Sequence, residues 1–306
     1  MRRPPRRYGS GRRSSEQASE GTRQLVETNI RAARRVTSVI GVAQIALLVL
    51  GALSAACARA AAPAPTLPPG QVVDLSHAYD SQAIFWPTAE PFRLEKVADG
   101  VTPAGYYYAA NNFFTSEHGG THLDAPVHFA ERHQTVDQIP LERLMGEAYV
   151  IDVTEAANAN PDYQVRSADL LRWEQTLGPI PTGAIVLIRT GFSTRWPDAA
   201  RYLGTAERGE AAVAKLHFPG LHQEAASWLL ANRSIKAIGI DTASIDAGQS
   251  SLFEVHRLLY AQDVPAFENL TSLDRLPRRG ATIIALPMKI RGGSGAPLRA
   301  IAFVPS

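Results

Sequence analysis

From Gln71 onward, short apolar runs alternate with longer segments that carry apolar residues at helical spacing. Runs rich in β-branched residues and bounded by turn-forming residues predict strands, and they read QVVDLS, EAYVIDV, AIVLIRT, KAIGID, TIIALP and LRAIAFV. Apolar residues three and four positions apart predict three helices, in SADLLRWEQTL, LHQEAASWLLAN and SLFEVHRLLYAQ. Strands that alternate with helices indicate one α/β domain over residues 71–306.

The pattern before Gln71 is different. Residues 36–56 form an uncharged run of 21 residues that follows several arginines. This length could span a bilayer, and a positive flank followed by small residues is also typical of a signal peptide. We therefore predict a protein that is exported or tethered to a membrane, with three N-terminal segments: a basic, disordered tail at 1–35, an apolar signal or anchor segment at 36–57 and an Ala/Pro linker at 58–70.

Two alternatives stay open for this N-terminal region. Cys57 lies where a lipoprotein cysteine would, but Ser54 occupies the position that usually holds Leu, so lipidation is the lesser interpretation. A start codon assigned too far upstream of a cytoplasmic enzyme would also explain the long segment before the apolar run.

The overall charge hides a difference between the two parts of the chain. The 306 residues include 31 Lys and Arg against 29 Asp and Glu, but residues 1–35 hold ten Arg against three Glu. Residues 58–306 are left with 21 basic and 26 acidic residues, which argues against a nucleic-acid partner. A single cysteine, Cys57, excludes both an intramolecular disulfide framework and a thiolate metal cage.

The segment HGGTHLDAPVH, which begins at His118, concentrates three histidines and an aspartate. Its first two histidines are four apart, as in the helical zinc signature, but the glycines between them and the proline that follows disfavour a helix. If the chain is extended from His122 on, Asp124 and His128 lie an even number of positions after His122 and therefore point to the same face as His122. A turn at the two glycines would bring His118 to the same point.

Side chains that converge in this way predict a divalent-metal site. Imidazoles and a carboxylate are costly to bury unless a cation pairs with them. The alternative is a solvated loop in which Thr121 and Asp124 only cap turns.

The same segment strongly resembles the H-x-G-T-H-x-D-x-P-x-H signature of the cyclase-like metal-dependent hydrolases, which include bacterial kynurenine formamidase (arylformamidase) and isatin hydrolase. The resemblance extends over residues 71–306, through VVDLSH, FWP, FPGL, AIGIDTASID, HRLLYAQDVPAFENL, IIALPMKI and GGSGAPLRAIAF. It implies the swivelling β/β/α fold of that family and a homodimer or larger homo-oligomer.

The resemblance also implies a set of metal ligands. His118, His122 and Asp124 would hold one metal, and Asp124 would bridge to a second metal that His256 and Glu268 hold. Zinc or manganese would be the usual occupant, with one or two ions per chain.

His128 matches the proton donor and acceptor of the family, and Trp86 matches a position that contacts the substrate. A bound cation lowers the pKa of its water towards about 7 and polarises a carbonyl. A histidine with an ordinary pKa of about 6.5 could then carry a proton from the activated water to a leaving nitrogen. We therefore predict hydrolysis of a C–N bond in a small aromatic amide or cyclic amide, like that of arylformamidase or isatin hydrolase.

Two other functions stay open on the sequence alone. Two histidines and a carboxylate also form the facial triad of non-haem iron oxygenases, although those enzymes usually have a jelly-roll fold and this chain alternates helices with strands. A metal-dependent small-molecule binding protein without turnover would fit an exported position.

The remaining polar groups have structural interpretations. His77 either supports the site or caps its own turn, and Asp241 and Asp246 follow a predicted strand, where they either support the site or cap turns. GGSGAP at 292–297 lacks a following helix and a lysine, so it predicts a glycine loop and not a phosphate-binding loop. The other histidines of the domain are expected at the surface or in packing positions: His133, His217 and His222.

Overall fold

The computed structural model describes residues 70–305. The predicted tail, apolar segment and linker therefore lie outside the described residues, apart from Gly70. Among residues 70–305, no helix combines the length and the apolar character needed to cross a membrane.

The described residues form a mixed α/β domain. Its strands are β1 (Gln71–Asp74), β2 (Arg93–Val101), β3 (Tyr107–Phe114), β4 (His122–Asp124), β5 (Met145–Asp152), β6 (Gln164–Val165), β7 (Ile185–Arg189), β8 (Gly220–Leu221), β9 (Ala237–Ile240), β10 (Ala266–Glu268), β11 (Ala281–Pro287) and β12 (Gly295–Val304). Its α-helices are α1 (Thr154–Ala159), α2 (Ser167–Leu177), α3 (Ala199–Leu203), α4 (Glu210–Val213), α5 (Gln223–Arg233) and α6 (Glu254–Tyr260). Short 3₁₀ helices lie at Pro126–His128, Leu141–Arg143, Phe192–Arg195 and Leu273–Arg275.

One sheet closes on itself like a barrel. Its strand order is β1-β12-β11-β5-β7-β9-β10-β4, and β4 also pairs with β12. The strands β5, β7, β9 and β10 run parallel to one another, and the other pairs of this sheet are antiparallel. Closure leaves few strand edges free. The smaller pairs β2–β3 and β6–β8 lie outside this sheet.

Each face of the barrel strands packs into a separate core. Ile185 and Leu187 of β7 belong to the cluster inside the barrel, and Val186 and Ile188 belong to the cluster under the helices. Strands buried on both faces read as continuous apolar runs, which explains the AIVLIRT signal. Leu123 of β4 also points inside. Its neighbours in the strand therefore point to the outer face, where α6 lies.

The prediction of a single α/β domain is confirmed. All six predicted strands and all three predicted helices are present, and α2 has the predicted bounds. The pattern did not predict the β2–β3 hairpin or the short strands β4 and β10. The extended chain predicted after His122 ends at Asp124, and His128 lies instead in a 3₁₀ helix that Pro126 begins. The parity argument for His128 was therefore wrong, because proline fixes a helical φ there.

Candidate metal centre

The register of two short strands builds the centre of the site. His122 in β4 lies directly opposite Glu268 in β10. The Nε2 of His122 lies 3.5 Å from Oε2 of Glu268 and 3.1 Å from Oδ1 of Asp124, two positions along the same strand. Because alternate residues of a strand share a face, this pairing alone brings two carboxylates and an imidazole together.

Helix α6 adds His256 from above the sheet. Its Nε2 lies 3.4 Å from Oδ2 of Asp124 and 3.3 Å from Oε1 of Glu268. The carboxylate of Asp246 accepts from the backbone amides of Val255 and His256 and lies 2.5 Å from His256 Nδ1. Asp246 thus caps the helix and also points the other ring nitrogen at the carboxylates.

The glycine turn brings in His118 as predicted. Gly120 has a φ of 58°, a conformation that glycine adopts without steric cost, and His118 Nδ1 lies 2.6 Å from Asp124 Oδ1. Gly295 of β12 lies opposite Asp124, and a Cβ there would lie 2.5 Å from Cε1 of His118. The GGSGAP loop therefore leaves room for a site histidine, and its Ser294 Oγ lies 2.9 Å from His118 Nε2.

His128 lies at the rim of the site. Its ring stacks on the ring of His118, with 3.7 Å between centroids, and its Nε2 is 3.9 Å from Asp124 Oδ2. Burial lowers its pKa to about 4, although the charge of Asp124 opposes that change. At neutral pH the ring is therefore uncharged and able to accept a proton.

The buried charges fit a divalent cation. The exposed fractions of Asp124 and Glu268 are only 1% and 3%, and burial together with the charge of Asp124 raises the pKa of Glu268. Burial disfavours the imidazolium form of His256, yet the carboxylates around it hold its pKa well above the ordinary value. The raised pKa values of Glu268 and His256 both show that positive charge is favoured at this buried position. The oxygen and imidazole donors suit zinc or manganese.

Asp124 is common to two groups of converging ligand atoms. One group joins Asp124 to His118 and His128, and the other joins it to His122 and Glu268, with all ligand atoms of each group within 4.8 Å of one another. A carboxylate shared by two groups fits the predicted bridging position. The grouping differs from the prediction in two respects: His128 joins His118 where His122 was expected, and His122 joins Glu268 where His256 was expected. His256 is in neither group, although its Nε2 lies within 3.4 Å of both carboxylates.

A cavity of about 280 Å³ opens onto these side chains, near the lower end of the ~300–1,000 Å³ typical of small-molecule pockets. Trp86 lines it, with its ring centroid 6.2 Å from that of Phe253, and its contact with a substrate stays a prediction. Among the described residues that line the cavity there is no lysine or arginine. The wall away from the carboxylates is apolar and includes Ile84, Phe85, Trp86, Phe129, Ala243 and Phe253.

Two supporting residues were not predicted. The hydroxyl of Tyr260 donates to Asp124 Oδ2 at 2.9 Å. The Nδ2 of Asn269 donates to the carbonyl of Gly120 at 2.7 Å, and His122 Nδ1 lies 3.0 Å from the same carbonyl. Tyr260 follows His256 by four residues, one helical turn, and that spacing could have identified it.

The other polar groups considered in the sequence make stacking contacts or hydrogen bonds outside the candidate ligand set. His77 stacks on Trp196 at 4.1 Å and donates its backbone N–H to Thr121 Oγ1, and burial lowers its pKa to about 4. Asp241 accepts from the backbone and hydroxyl of Thr190, so it holds a turn. The remaining histidines pair with nearby polar groups: His133 with Asp263, His217 with Asp162 and His222 with the backbone of Glu224.

Comparison with known proteins gives consistent matches. Residues 73–247 match the family model described as putative cyclase. The isatin hydrolase of Roseibium aggregatum is 35% identical over 210 residues, which cover 66% of this chain and 77% of that protein. The kynurenine formamidase of Salinibacter ruber is 29% identical over 186 residues, which cover 61% of this chain and 76% of that protein.

A solved structure matches more of the chain. Isatin hydrolase A from Ralstonia solanacearum superposes with a TM-score of 0.69 and 36% identity, and the match covers 84% of this chain and 97% of that one. The family model ends at residue 247, before His256 and Glu268. These two residues reach the site through the pairing of β10 with β4 and the position of α6.

Proposed function

Because the chain belongs to the putative cyclase family, we propose that it is a metal-dependent hydrolase that cleaves a C–N bond in a small, uncharged aromatic amide or cyclic amide. The observation that carries this proposal is a buried pair of carboxylates, surrounded by imidazoles, at one end of an apolar, aromatic-lined cavity. The names isatin hydrolase and kynurenine formamidase denote enzymes of this class, in which hydrolysis of non-peptide C–N bonds is the shared reaction.

The residues that would hold zinc or manganese, as one or two ions, are His118, His122, Asp124, His256 and Glu268. When bound, a divalent cation polarises a carbonyl and lowers the pKa of water. Tyr260 fixes Asp124, and Asp246 fixes His256, so the donors are held in place by hydrogen bonds before any ligand binds.

His128 is the proton carrier of the proposed reaction. Burial lowers its pKa and keeps the ring neutral at pH 7, and in the proposed reaction the ring accepts a proton from the attacking water and then donates that proton to the leaving nitrogen. Its position at the rim, with a half-buried side chain, leaves it within reach of both the carboxylates and the cavity. The aromatic wall would hold the substrate ring and keep bulk water out.

No lysine or arginine is among the described residues that line the cavity, which supports an uncharged substrate. An amide that carries an amino-acid group would place a carboxylate in the cavity, and an unpaired buried charge is costly. Arg208 donates to the carbonyl of Ala89 but lies outside the lining. Of the two activities named above, that of isatin hydrolase therefore fits this cavity better.

A substrate panel with metal-loaded protein tests the proposal. Isatin and formanilide should be hydrolysed, and an N-formylated aromatic amine that carries an amino-acid group should show a kcat/KM at least about tenfold lower, a difference of about 1.4 kcal/mol. Metal content is measured on the same sample. Turnover without oxygen would remove the oxygenase alternative, and no turnover of any amide or lactone with full metal content would favour a binding protein.

A further inference from the structure

Phe253, the residue before helix α6, has an unusual backbone. Its φ is 49° and its ψ is 47°, in the left-handed region. For a bulky side chain this conformation is a genuine outlier, because the Cβ approaches the following carbonyl. Such strain persists only when the surroundings enforce it, and it is concentrated at ligand-binding and active sites.

Hydrogen bonds that continue into the candidate metal centre hold this conformation. The backbone N–H of Phe253 donates to Ser250 Oγ at 3.1 Å, and its carbonyl accepts from Arg257. Ser250 Oγ lies 3.2 Å from Oδ1 of Asp246, the carboxylate that caps α6 and holds His256. Ser250 thus links the backbone of Phe253 to Asp246, the residue that positions the candidate ligand His256.

The strained backbone directs the ring into the cavity. The Phe253 centroid lies 5.1 Å from that of Phe129, 6.2 Å from that of Trp86 and 5.9 Å from that of His256. These separations are in the range of favourable aromatic contacts. The preceding side chain, Leu252, points the other way and is 61% exposed. Only one of two adjacent apolar side chains is thus used in the cavity.

We propose that Phe253 is a specificity-determining residue, whose left-handed backbone places its ring as the wall against which the flat face of an uncharged aromatic substrate packs. That the bound molecule is a substrate rests on the proposed function. The physical content of the assignment, a binding face for a flat, uncharged ring, stands apart from turnover. It predicts that the ring of Phe253 contributes to binding and little to the chemical step.

Binding of indole to the metal-loaded full chain tests this assignment, because indole is flat and uncharged and has no hydrolysable bond. We expect Phe253→Ala and Phe253→Gly to weaken indole binding about tenfold in calorimetry. The Gly variant should melt at a higher temperature than the Ala variant, since glycine adopts a left-handed conformation without the cost that alanine incurs. Leu252→Ala is the matched control and should bind indole like the unaltered protein.

The kinetic readout separates binding from a general loss of structure. In Phe253→Leu, which keeps an apolar side chain, the KM for formanilide should rise about five- to tenfold while kcat stays within about threefold. Unchanged indole affinity in Phe253→Ala, or a melting temperature of the Gly variant below that of the Ala variant, would overturn the proposal. If indole binding responds as expected but no amide is hydrolysed, the proposed function fails while the ring-binding role of Phe253 remains.

Discussion

Among the histidines of the site, His128 has the most exposed side chain, at 28%, followed by His118 at 23%, whereas those of His122 and His256 are 3% exposed. A side chain at the rim suits proton transfer better than structural ligation. We expect His128→Ala to keep most of the metal and to lose about two to four orders of magnitude in rate. Elemental analysis beside steady-state kinetics checks this. If metal leaves with the ring, His128 is a ligand, as its place beside His118 and Asp124 would also allow.

The close packing around Gly295 leads to a second prediction. A Cβ there would lie 2.5 Å from His118 Cε1 and 2.7 Å from the backbone oxygen of Leu123, and the backbone cannot move aside without disturbing β4. We expect Gly295→Ala to displace His118, to lower activity at least tenfold and to destabilise the protein by about 1–3 kcal/mol. Gly100→Ala is the control, because a Cβ at that position meets nothing within 4 Å. Equal metal content and activity in both variants would contradict this account of the glycine loop.

The residues that the sequence grouped correctly are those close together in the chain. Alternation placed His122 and Asp124 on one face, and the glycine pair explained His118. His256 and Glu268 came only from the family resemblance, because their meeting depends on pairing across more than a hundred residues, which no local pattern encodes. Phe253 also escaped prediction, since a left-handed conformation at a phenylalanine contradicts its intrinsic preference.

Between helices, one ion pair has the geometry to contribute to stability. Glu174 of α2 accepts two hydrogen bonds from Arg233 of α5, at 2.6 and 2.5 Å, and the two side chains are 10% and 20% exposed. The hydrogen bonds from Arg233 lower the pKa of Glu174. A carboxyl whose pKa is lower in the folded state stabilises the fold above its ordinary pKa, and this contribution is lost as the pH falls through the folded-state value.

We therefore expect Glu174→Gln to destabilise the protein by about 1 kcal/mol at pH 7. The difference from the unaltered protein should shrink as the pH falls below about 4.3, the ordinary pKa of a glutamate. Urea unfolding at pH 7, 5 and 3.5 measures both. Glu131→Gln is the matched control, because Glu131 and its partner Arg132 are 85% and 88% exposed. A Glu174→Gln effect that does not change with pH would show that packing, not charge, is responsible.

The elements that the sequence predicted well are the long ones with a clear period. Helix α2 has the predicted bounds because a three- and four-residue apolar spacing runs through all of SADLLRWEQTL. Strands β4 and β10 have three residues each, too few for an apolar pattern to identify them as strands, although the two-residue spacing of His122 and Asp124 indicated a shared face. In the hairpin, nearly every residue of β2 and β3 is exposed on both faces, so no buried face imposes a pattern on RLEKVADGV or YYAANNFF.

For the whole molecule, the hairpin of β2 and β3 is the most apolar exposed feature among residues 70–305. Its exposed apolar side chains include Leu94 at 62%, Tyr107 at 63% and Phe113 at 53%, and an exposed apolar patch is typical of an interaction surface. The homo-oligomer expected from the family resemblance would bury this surface. We expect light scattering to give the mass of an oligomer for the full chain and a lower mass for Leu94→Asp. A monomer in both cases would contradict this expectation.

The closed sheet leads to a prediction about whether residues 1–69 are needed for folding and activity. The first described strand, β1, pairs with β12, and residues 70–305 supply the closed sheet, three apolar core clusters and all five candidate ligands. Since residues 70–305 themselves form this sheet and the candidate ligand set, we expect a chain that begins near Gln71 to fold, bind metal and hydrolyse substrate at the rate of the full chain. Metal content, thermal midpoint and specific activity of the two proteins check this. Aggregation or metal loss in the shorter chain alone would show that the N-terminal region covers part of the catalytic domain, and that the division of the chain near residue 70 is wrong.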